Sequence, residues 1–504
     1  MRNTTRTRVI AAAAAAAAVA VTVGALAAPA TAATHTADAT STAEHVVVIG
    51  IDGLLYDRIG AADAPNLDAM ITSGYSSKTT LYSDPMAPTL SGPGWATNLT
   101  GVWPDKHGVT SNSWVTGTDL SRFPDFLTRL ERADPSLSTF ADVSWNPIVD
   151  GSVGTPIITS DVDDVQAANG DADTAARAVT KLRDAGPNAS FIHFDGVDEA
   201  GHASGAASQQ YLDAITEVDG FIGQVRTAVA ARSDAADWSF IVTSDHGHTN
   251  AGGHGGNTPA ERSSFIVKTG PGIAKQTPAV APKNVDIAAD VLSTFGVPIP
   301  AALDGRPLAT TSTDPFDTMA SKLQARVDET GIPSSTLGWT KSMPSGWSVD
   351  DTGMGTGGMT EWRGWSLASD AFWTGTETGQ GREENVRARG VFAVADSDEW
   401  SDKSRSGTFD SKIVSAPYTV SGKSTAQLSF ASHYRKSGNE TASVLVSFDG
   451  GSWRTIETYT ADRIASIDTQ SIAVPSGAKQ MRVAWSLTKG DNDWYWAIDD
   501  PKVA

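Results

Sequence analysis

Cysteine is absent from this chain of 504 residues, so disulfides, thiolate metal sites and cysteine nucleophiles are all excluded. An exported protein of this length without disulfides must draw its stability from its hydrophobic cores and from any metal it binds. Long apolar runs are also missing after residue 33, where no segment has eighteen consecutive apolar residues. We therefore expect no membrane span in that part of the chain.

Positive charge is scarce, since 38 Lys and Arg residues face 58 Asp and Glu residues and the net charge is −20. An acidic surface opposes the phosphate contacts by which proteins hold polynucleotides, so polynucleotide binding is not expected. The acidity fits a site whose carboxylates hold cations, although solubility alone would explain it equally well.

Residues 1–33 differ in composition from the rest of the chain. Arg2, Arg6 and Arg8 precede an Ala/Val-rich run over residues 9–28, which is followed by Ala30-Thr31-Ala32. This order is typical of a signal peptide with a small-residue cleavage site. A membrane anchor is the alternative, but the alanine richness and Pro29 favour cleavage. We expect a secreted protein that is soluble outside the cytoplasm.

The chain is too long for one hydrophobic core, and its pattern changes near residues 311–340. Over residues 44–310, short apolar runs alternate with helical stretches, which predicts an α/β domain with a mainly parallel sheet between helices. Over residues 341–504, alternating strands without helices predict an all-β, jelly-roll-like sandwich. Residues 311–340 are predicted to form a helical linker.

The segments that carry these predictions are short. The predicted strands of the first domain are residues 46–51, 190–194 and 239–243, and its predicted helices include residues 65–74, 172–185 and 209–231. The predicted strands of the sandwich include residues 426–430, 442–448 and 480–485.

Acidic and histidine residues follow three of the predicted strands. Asp52 follows the first, Asp198 and His202 follow the second, and Asp245 with His246 follow the third. Because the carboxyl ends of parallel strands meet at one edge of a sheet, we expect these side chains to converge. Asp and neutral His are suitable ligands for a zinc-like ion. Taken singly, each of them is equally well explained as a helix cap or a loop residue.

A further histidine, His254, lies in the glycine-rich sequence GGHGG and is able to add an imidazole at the same edge.

The ordered motifs resemble those of the type I phosphodiesterases and nucleotide pyrophosphatases of the alkaline phosphatase superfamily. They are IDG at 51–53, PTLSGPGW with TGVWPDKHGV across 88–109, DEAGH at 198–202, SDHG at 244–247 and HGG at 254–256.

The resemblance implies the alkaline phosphatase fold and a pair of divalent ions, zinc in type. It implies that Ser91 is the nucleophile and contacts one ion, and that Asn112 donates to a phosphoryl oxygen. Ser91 as a helix cap and Asn112 as a turn residue are the alternatives, and Thr89 is the fallback nucleophile. The implied ligands of one ion are Asp198, His202 and His254, and those of the other are Asp52, Asp245 and His246.

The sequence departs from the family beside the nucleophile. Serine replaces the usual threonine, and Gly92 and Gly94 are expected to leave an open floor next to an aromatic wall formed by Trp95. Trp95 also stands where sulfatases of the superfamily need an arginine, which argues against formylglycine chemistry. Other roles are expected for three further histidines: His107 and His193 are expected to be structural, and His248 is a candidate for contacting a ligand.

The resemblance implies a phosphoric ester hydrolase that acts on a small phosphate ester or nucleotide through a covalent phosphoserine. Diesters or pyrophosphates are the first choice of substrate. Alkaline phosphomonoesterase activity is the alternative; it would need a further cation, for which Lys106 and Arg177 are unassigned candidates. A third possibility is a non-catalytic protein that binds a surface through its C-terminal domain.

Ten of the fifteen tryptophans lie after residue 338. Exposed tryptophans stack on sugar rings, which would suit a glycan or cell-surface contact, whereas alternating tryptophans pack into a core. Packing is the favoured prediction. Four acidic residues, Asp396, Asp398, Asp499 and Asp500, are candidate ligands for calcium, with turn and edge carboxylates as the alternative.

Overall fold

The computed structural model describes residues 45–82 and 86–504. The predicted signal peptide, residues 1–33, lies outside this part of the chain. From His45 onward the chain belongs to one compact unit. Within the described ranges no helix has the length and apolar character needed to cross a membrane.

The first region is built on a seven-stranded sheet of order β2-β7-β6-β1-β5-β3-β4. The central strand β1 pairs in parallel with both β5 and β6, and every residue in it is buried. Burial on both faces explains why β1 is a continuous apolar run rather than an alternating one. β7 runs antiparallel to its neighbours β6 and β2. The strands are β1 His45–Ile51, β2 Tyr75–Thr80, β3 Thr139–Val143, β4 Asp164–Ala167, β5 Ala189–Phe194, β6 Trp238–Thr243 and β7 Ser263–Thr269.

Helices cover both faces of this sheet, and a separate hydrophobic core lies on each face. The α/β prediction is therefore confirmed. The helices are α1 Tyr56–Ile59, α2 Pro65–Ser73, α3 Ser91–Thr100, α4 Pro104–His107, α5 Phe126–Ala133, α6 Asp171–Asp184, α7 Gly196–Ser204, α8 Gln209–Ala230 and α9 Asp286–Thr294. Short 3-10 helices span Asn146–Ile148 and Ala235–Asp237.

The second region is a β-rich structure of two larger sheets and a two-stranded pair, which confirms the predicted β-rich class. Two short helices, which the prediction lacks, also occur in it. One sheet has the order β10-β15-β21-β18-β19 with β16 paired to β21, the other the order β20-β17-β22-β13-β12-β9-β8, and β11 pairs with β14. Its strands are β8 Gln324–Ala325, β9 Leu337–Thr340, β10 Ser348–Asp350, β11 Thr356–Gly357, β12 Ser366–Ser369, β13 Val391–Asp396, β14 Arg405–Ser406, β15 Phe409–Val414, β16 Tyr418–Thr419, β17 Thr425–Tyr434, β18 Thr441–Phe448, β19 Arg454–Tyr459, β20 Arg463–Ala473, β21 Gln480–Gly490 and β22 Tyr495–Val503.

A single hydrophobic core joins the two larger sheets, and tryptophans fill much of it. Helices α10 Asp370–Trp373 and α11 Ser397–Ser401 and the 3-10 helix Arg382–Glu384 also belong to this region. Trp453 and Trp494 are partly exposed. Packing is thus the role of most of these rings, as the sequence predicts. The buried ones are Trp339, Trp347, Trp362, Trp365, Trp373, Trp400, Trp485 and Trp496.

The predicted helical linker over residues 311–340 differs from the structure. Its helix is limited to the 3-10 helix Phe316–Lys322, and β8 and β9 already belong to a sheet of the second region. Phe316 is fully buried in the core of that region, which ties the start of this segment to the sandwich.

Ion pairs and an apolar cluster join the two regions. Arg389 donates two hydrogen bonds, of 2.7 and 2.8 Å, to the carboxylate of Asp286 in α9. Arg387 donates to Asp105 at 2.7 Å. A small apolar cluster also includes residues of both regions, among them Trp103. The second region therefore braces helices α4 and α9 of the first.

Candidate metal and nucleophile site

The carboxyl ends of three neighbouring parallel strands present the predicted site residues. Asp52 directly follows β1, and Asp245 and His246 follow β6. Helix α7 begins two residues after β5 and carries Asp198 and His202, one helical turn apart. Because β1 lies between β5 and β6, these side chains meet at one edge, as the strand pattern predicts.

One group consists of Asp198, His202, His248 and His254, whose ligand atoms all lie within 4.8 Å of one another. Asp198 Oδ2 lies 3.2 Å from His202 Nε2, and Asp198 Oδ1 lies 2.7 Å from His248 Nε2. The His202 and His254 Nε2 atoms are 3.0 Å apart. The three residues predicted for one ion are thus together, joined by His248.

The second group consists of Asp52, Asp245 and His246, all fully buried. His246 Nε2 lies 3.2 Å from Asp245 Oδ2 and 3.5 Å from Asp52 Oδ1. Asp245 Oδ1 accepts a hydrogen bond from the Gly53 N–H at 3.1 Å. The three residues predicted for the other ion are therefore also together.

Ser91 is the first residue of α3 and reaches the second group. Its Oγ lies 3.4 Å from His246 Nε2 and 3.5 Å from Asp52 Oδ1, and the side chain is buried. Leu90 occupies the cap position of α3, so the Ser91 hydroxyl is not used to cap the helix. The hydroxyl is therefore free to interact with the carboxylate of Asp52 and the imidazole of His246 beside it.

The two groups are neighbours. The rings of His246 in one group and His254 in the other are stacked, with centroids 3.8 Å apart. A Cβ atom on Gly53, next to Asp52, would lie 2.5 Å from Asp198 Oδ1, and Gly53 has a φ of +63°. Glycine is needed there because a side chain would separate the groups. The arrangement suits two cations held close together.

The tautomers of two histidines show that the site suits cations. His254 Nδ1 lies 2.8 Å from the Thr89 carbonyl and His246 Nδ1 lies 3.1 Å from the Gly247 carbonyl. A carbonyl can only accept, so each Nδ1 carries the proton and each Nε2 presents a lone pair. In the second group that lone pair faces carboxylate oxygens of Asp52 and Asp245, an arrangement that a cation would stabilise.

Burial and charge repulsion support the same conclusion. Burial raises the pKa of Asp52 well above its usual value, and nearby Asp198 raises it further. Burial and the nearby Asp52 likewise raise the pKa of Asp245, whose buried Oδ2 has no hydrogen-bond partner among the described residues. Burial lowers the pKa of His246, which keeps it neutral. Neutral imidazole and carboxylate oxygen form a donor set that fits divalent ions such as zinc.

Asn112 lies next to the start of α3. Its Oδ1 accepts a hydrogen bond of 2.8 Å from the Gly92 N–H, the residue after Ser91. This bond fixes the amide so that its Nδ2 is the end able to donate. Pro93 has no N–H, so few backbone donors remain at this end of α3. Asn112 is therefore placed to supply the donor beside Ser91 that the sequence predicts.

Residues 46–294 match the family model described as type I phosphodiesterase / nucleotide pyrophosphatase. This part of the chain belongs to that family. The expectation drawn from the five ordered motifs is thereby confirmed.

Two known proteins are similar to this chain over part of their length. GPI ethanolamine phosphate transferase 2 of Aspergillus fumigatus is 24% identical over 285 residues, which are 52% of this chain and 36% of that protein. Ectonucleotide pyrophosphatase/phosphodiesterase family member 7 of Mus musculus is 23% identical over 233 residues, which are 40% of this chain and 50% of that protein. The chain spans half the length of these relatives or less.

The chain also resembles a solved structure. Murine ectonucleotide pyrophosphatase/phosphodiesterase 5, an inactive form in complex with AMP, superposes with a TM-score of 0.42 at 14% identity. The superposition covers 51% of this chain and 96% of that one.

The departures from the family pattern beside Ser91 have structural explanations. The glycines do not leave an open floor: a Cβ atom on Gly94 would lie 2.7 Å from Asp245 Cβ, and one on Gly92 would lie 2.6 Å from the Ser111 carbonyl. They allow α3 to approach both segments closely. Trp95 is fully buried, and its indole N–H donates to Asp52 Oδ2 at 2.8 Å. It is therefore a hydrogen-bond donor to Asp52 rather than an open wall.

Other candidates from the sequence have partners elsewhere. The Thr89 hydroxyl donates to the Gly256 carbonyl at 3.0 Å, which braces the loop of His254. Lys106 pairs with Asp304 at 2.6 Å, and Arg177 pairs with Asp142 at 2.8 Å. His107 is fully buried, lies 3.2 Å from the Thr97 hydroxyl and has a pKa lowered by burial to about 3, which suits the predicted structural role.

The candidate calcium ligands of the second region do not come together. Asp396 and Asp398 lie 3.2 and 3.7 Å from the guanidinium of buried Arg382. Asp499 accepts a hydrogen bond from the Arg389 N–H, and Asp500 pairs with Lys502. An arginine thus lies beside the first two carboxylates. Among the described residues Asp398 groups instead with Glu377 and Glu399, whose ligand atoms lie within 4.8 Å of one another, so calcium in this region stays a prediction.

Sequence reasoning missed the roles of two residues at the site and left a third open. His248 contacts Asp198, and its position two residues after His246 was a usable signal. His193 and Trp95 both contact Asp52 Oδ2, at 3.2 and 2.8 Å. Their signal was weaker, because a buried strand histidine and a helix tryptophan are usually core residues.

Proposed function

We propose that this chain is a metal-dependent phosphodiesterase or nucleotide pyrophosphatase that acts through a covalent phosphoserine at Ser91. The observation that carries the proposal is the position of the Ser91 hydroxyl. It lies 3.4 Å from His246 Nε2 and 3.5 Å from Asp52 Oδ1, beside two adjoining groups of carboxylates and imidazoles. The family of residues 46–294 supports the same chemistry.

In the proposed first step the Ser91 hydroxyl loses its proton to solvent as its oxygen attacks phosphorus. The ester oxygen of the leaving group departs with the bonding electron pair and takes up a proton from solvent. Water then attacks the same phosphorus from the opposite side, and the Ser91 oxygen leaves and regains its proton. Asn112 Nδ2 donates to a phosphoryl oxygen during both steps, where negative charge accumulates.

The divalent ions, when bound, neutralise the phosphoryl oxygens and lower the pKa of the hydroxyl nucleophile. Asp198, His202 and His254 would hold one ion, and Asp52, Asp245 and His246 the other. His248 donates to Asp198 Oδ1 and so orients that carboxylate toward its ion. Zinc is the proposed metal, because aspartate oxygen and histidine nitrogen are its common ligands.

The surroundings favour a diester over a monoester. A monoester dianion carries one more negative charge than a diester and calls for a further cationic side chain. Lys106 and Arg177, the two candidates from the sequence, are paired with Asp304 and Asp142 instead. Transfer to an alcohol acceptor is the competing reaction, since a transferase is among the relatives. Hydrolysis and transfer share the first step. They differ in the second, where either water or an alcohol attacks the phosphoserine.

A comparison of three proteins tests the proposal: the wild type, Ser91→Ala and Ser91→Thr. The wild type should release nitrophenol from the methyl nitrophenyl diester at least tenfold faster than from nitrophenyl phosphate, and a chelator should abolish the release. Ser91→Ala should lose about 1,000-fold or more in kcat, whereas Ser91→Thr keeps a hydroxyl and should retain activity. Unchanged hydrolysis by Ser91→Ala would refute the phosphoserine.

Two further measurements separate the alternatives. Acid quenching during turnover should leave a phosphoryl group on the peptide that contains Ser91, detected by mass spectrometry. Adding ethanolamine as acceptor would give an ethanolamine phosphate ester from a transferase, while a hydrolase gives the same products with or without it. Hydrolysis of neither ester, with metal bound, would favour a binding protein.

We also propose that the protein is exported, with a signal peptide over residues 1–33. The three early arginines, the alanine-rich run and the Ala30-Thr31-Ala32 site support this. Protein recovered from culture medium should begin within one or two residues of Ala33, by N-terminal sequencing. A glycan or cell-surface contact of the second region is proposed with it, and the partly exposed Trp453 and Trp494 are its candidate platforms.

A further inference from the structure

One oxygen of Asp52 is held by two N–H groups. The Trp95 indole Nε1–H donates to Asp52 Oδ2 at 2.8 Å, and His193 Nε2 lies 3.2 Å from the same oxygen. Both side chains are fully buried, and their rings meet edge to face with centroids 4.7 Å apart. The other oxygen, Oδ1, is the one within 3.5 Å of Ser91 and His246.

The His193 tautomer is set by the backbone. The Trp145 N–H donates to His193 Nδ1 at 3.4 Å, so Nδ1 is an acceptor and Nε2 carries the ring proton. His193 in this state donates to Asp52, as Trp95 does. Two N–H donors on Oδ2 fix the plane of the carboxylate and leave Oδ1 turned toward the nucleophile.

The helix that carries the nucleophile also carries one of these donors. Trp95 lies four residues after Ser91 in α3, so the two side chains are on the same face of the helix, one turn apart. The indole fits because β1 has a glycine beside it: a Cβ atom on Gly50 would lie 2.3 Å from Trp95 Cη2. Any movement of α3 is thereby coupled to the position of Asp52.

We infer that Trp95 and His193 are positioning residues that orient Asp52, so that Oδ1 faces Ser91 and is preorganised to hold a cation there. The inference rests on the proposed function of the same site. Partners of this kind are costly to lose even though they touch neither metal nor substrate.

The test measures zinc affinity of the metal-free protein and diester hydrolysis separately. Trp95→Phe keeps an aromatic ring and loses the N–H, and we expect one of two bound zinc ions to be held at least tenfold more weakly, by competition with a chromophoric chelator. We also expect kcat at saturating zinc to fall at least tenfold with KM within twofold, because the substrate contacts are untouched.

Trp373→Phe is the matched control. Trp373 is fully buried and its indole N–H also donates to a buried carboxylate, Asp396 Oδ2, at 2.8 Å. Trp373 lies in the second region, so the zinc affinity and kcat of Trp373→Phe should equal those of the wild type. An equal loss of zinc affinity in both variants would show a general effect of core damage and overturn the inference.

His193 gives an independent variant should Trp95→Phe fail to fold. His193→Gln retains an N–H donor near the Nε2 position and should keep most of the zinc affinity, whereas His193→Phe should lose at least tenfold. Equal zinc affinity in wild type, Trp95→Phe and His193→Phe would overturn the inference and leave the proposed hydrolase standing. A wild type without hydrolytic activity would refute the proposed function, while the zinc measurement would still test the orientation of Asp52.

Discussion

The region of residues 45–294 and the region of residues 337–503 both bury charged side chains, but they compensate them differently. In the second region Arg382 lies between Glu399 and Asp396, at 2.6 and 3.2 Å, and all three are buried. In the first region Asp52 and Asp245 are fully buried. The side chains beside them are His246, His193 and Trp95 rather than an arginine.

This difference separates structure from function. A buried carboxylate beside a guanidinium is satisfied within the chain, so it needs no ligand. Carboxylates that face one another and an imidazole lone pair need a cation from outside. The sequence shows acidic residues in both cases, and the distinction between the two patterns rests on where the arginines lie in three dimensions.

Of the variants that test this difference, Asp245→Asn should have the largest effect on activity. The change removes a ligand oxygen and a buried charge, so kcat/KM for the diester should fall at least about 100-fold. Zinc should no longer raise the melting temperature as much as in the wild type, because ligand binding stabilises the folded state by mass action. Steady-state kinetics and thermal melts with zinc or chelator measure both.

The metal-free protein provides the control for that change. Burial and the nearby Asp52 raise the pKa of Asp245, so the uncharged amide should make metal-free Asp245→Asn at least as stable as the wild type. Asp396→Asn, the same substitution beside Arg382, should instead lower the melting temperature. A clear loss of metal-free stability in Asp245→Asn would contradict this picture of the site.

Arg382→Met tests the second region, because it removes the cation that compensates the buried carboxylates there. It leaves Asp396 and Glu399 buried without their cation, so the free energy of unfolding should fall by about 3–5 kcal/mol. Activity per folded molecule should be unchanged, because Arg382 contacts the second region. Urea denaturation followed by kinetics at low temperature measures both quantities.

Lys403→Met is the matched control for Arg382→Met. Lys403 pairs with Asp328 at 2.7 Å, but its side chain is half exposed. Surface pairs of this kind contribute about 0–1 kcal/mol. Equal losses in the two variants would show that burial does not decide the strength of these pairs.

Much of the fold could be predicted from the sequence, because strands buried on both faces leave short continuous apolar runs. The strands predicted at residues 46–51 and 239–243 are β1 and β6, each extended by one residue at its start. The structure of the segment after residue 311 was harder to predict. Its apolar residues suit a helix, yet Phe316 packs into the core of the sandwich and β9 joins its sheet.

The predicted ligands could be found from the sequence because each follows a strand or lies in a short motif. The structure brings all six together with Ser91. The residues that hold those ligands could not be found in this way. Trp95 and His193 act through the direction of an N–H bond, which depends on how α3 packs against β1 and on the tautomer set by Trp145.

Glu440→Gln should have a smaller effect on stability. It tests a buried acid of the second region that has no arginine beside it. Glu440 is buried, and its Oε2 accepts a hydrogen bond from the Ser397 hydroxyl at 2.8 Å. Burial raises the pKa of Glu440 from 4.5 to about 8, although the Ser397 bond opposes the shift. The folded state therefore keeps this proton to higher pH than the unfolded state does.

The sign of the pH dependence follows from that difference. The stability that protonated Glu440 contributes is complete below about pH 4.5 and is lost as the pH rises toward 8, because the unfolded chain ionises first. The amide of Glu440→Gln does not titrate, so its melting temperature should gain on the wild type steadily between pH 5 and pH 8. Glu217→Gln, at an exposed position of α8, should follow the wild-type profile. Parallel profiles for Glu440→Gln and the wild type would show that the Glu440 carboxyl is ionised in the folded protein, so that burial without an arginine does not suffice to keep an acid neutral in this region.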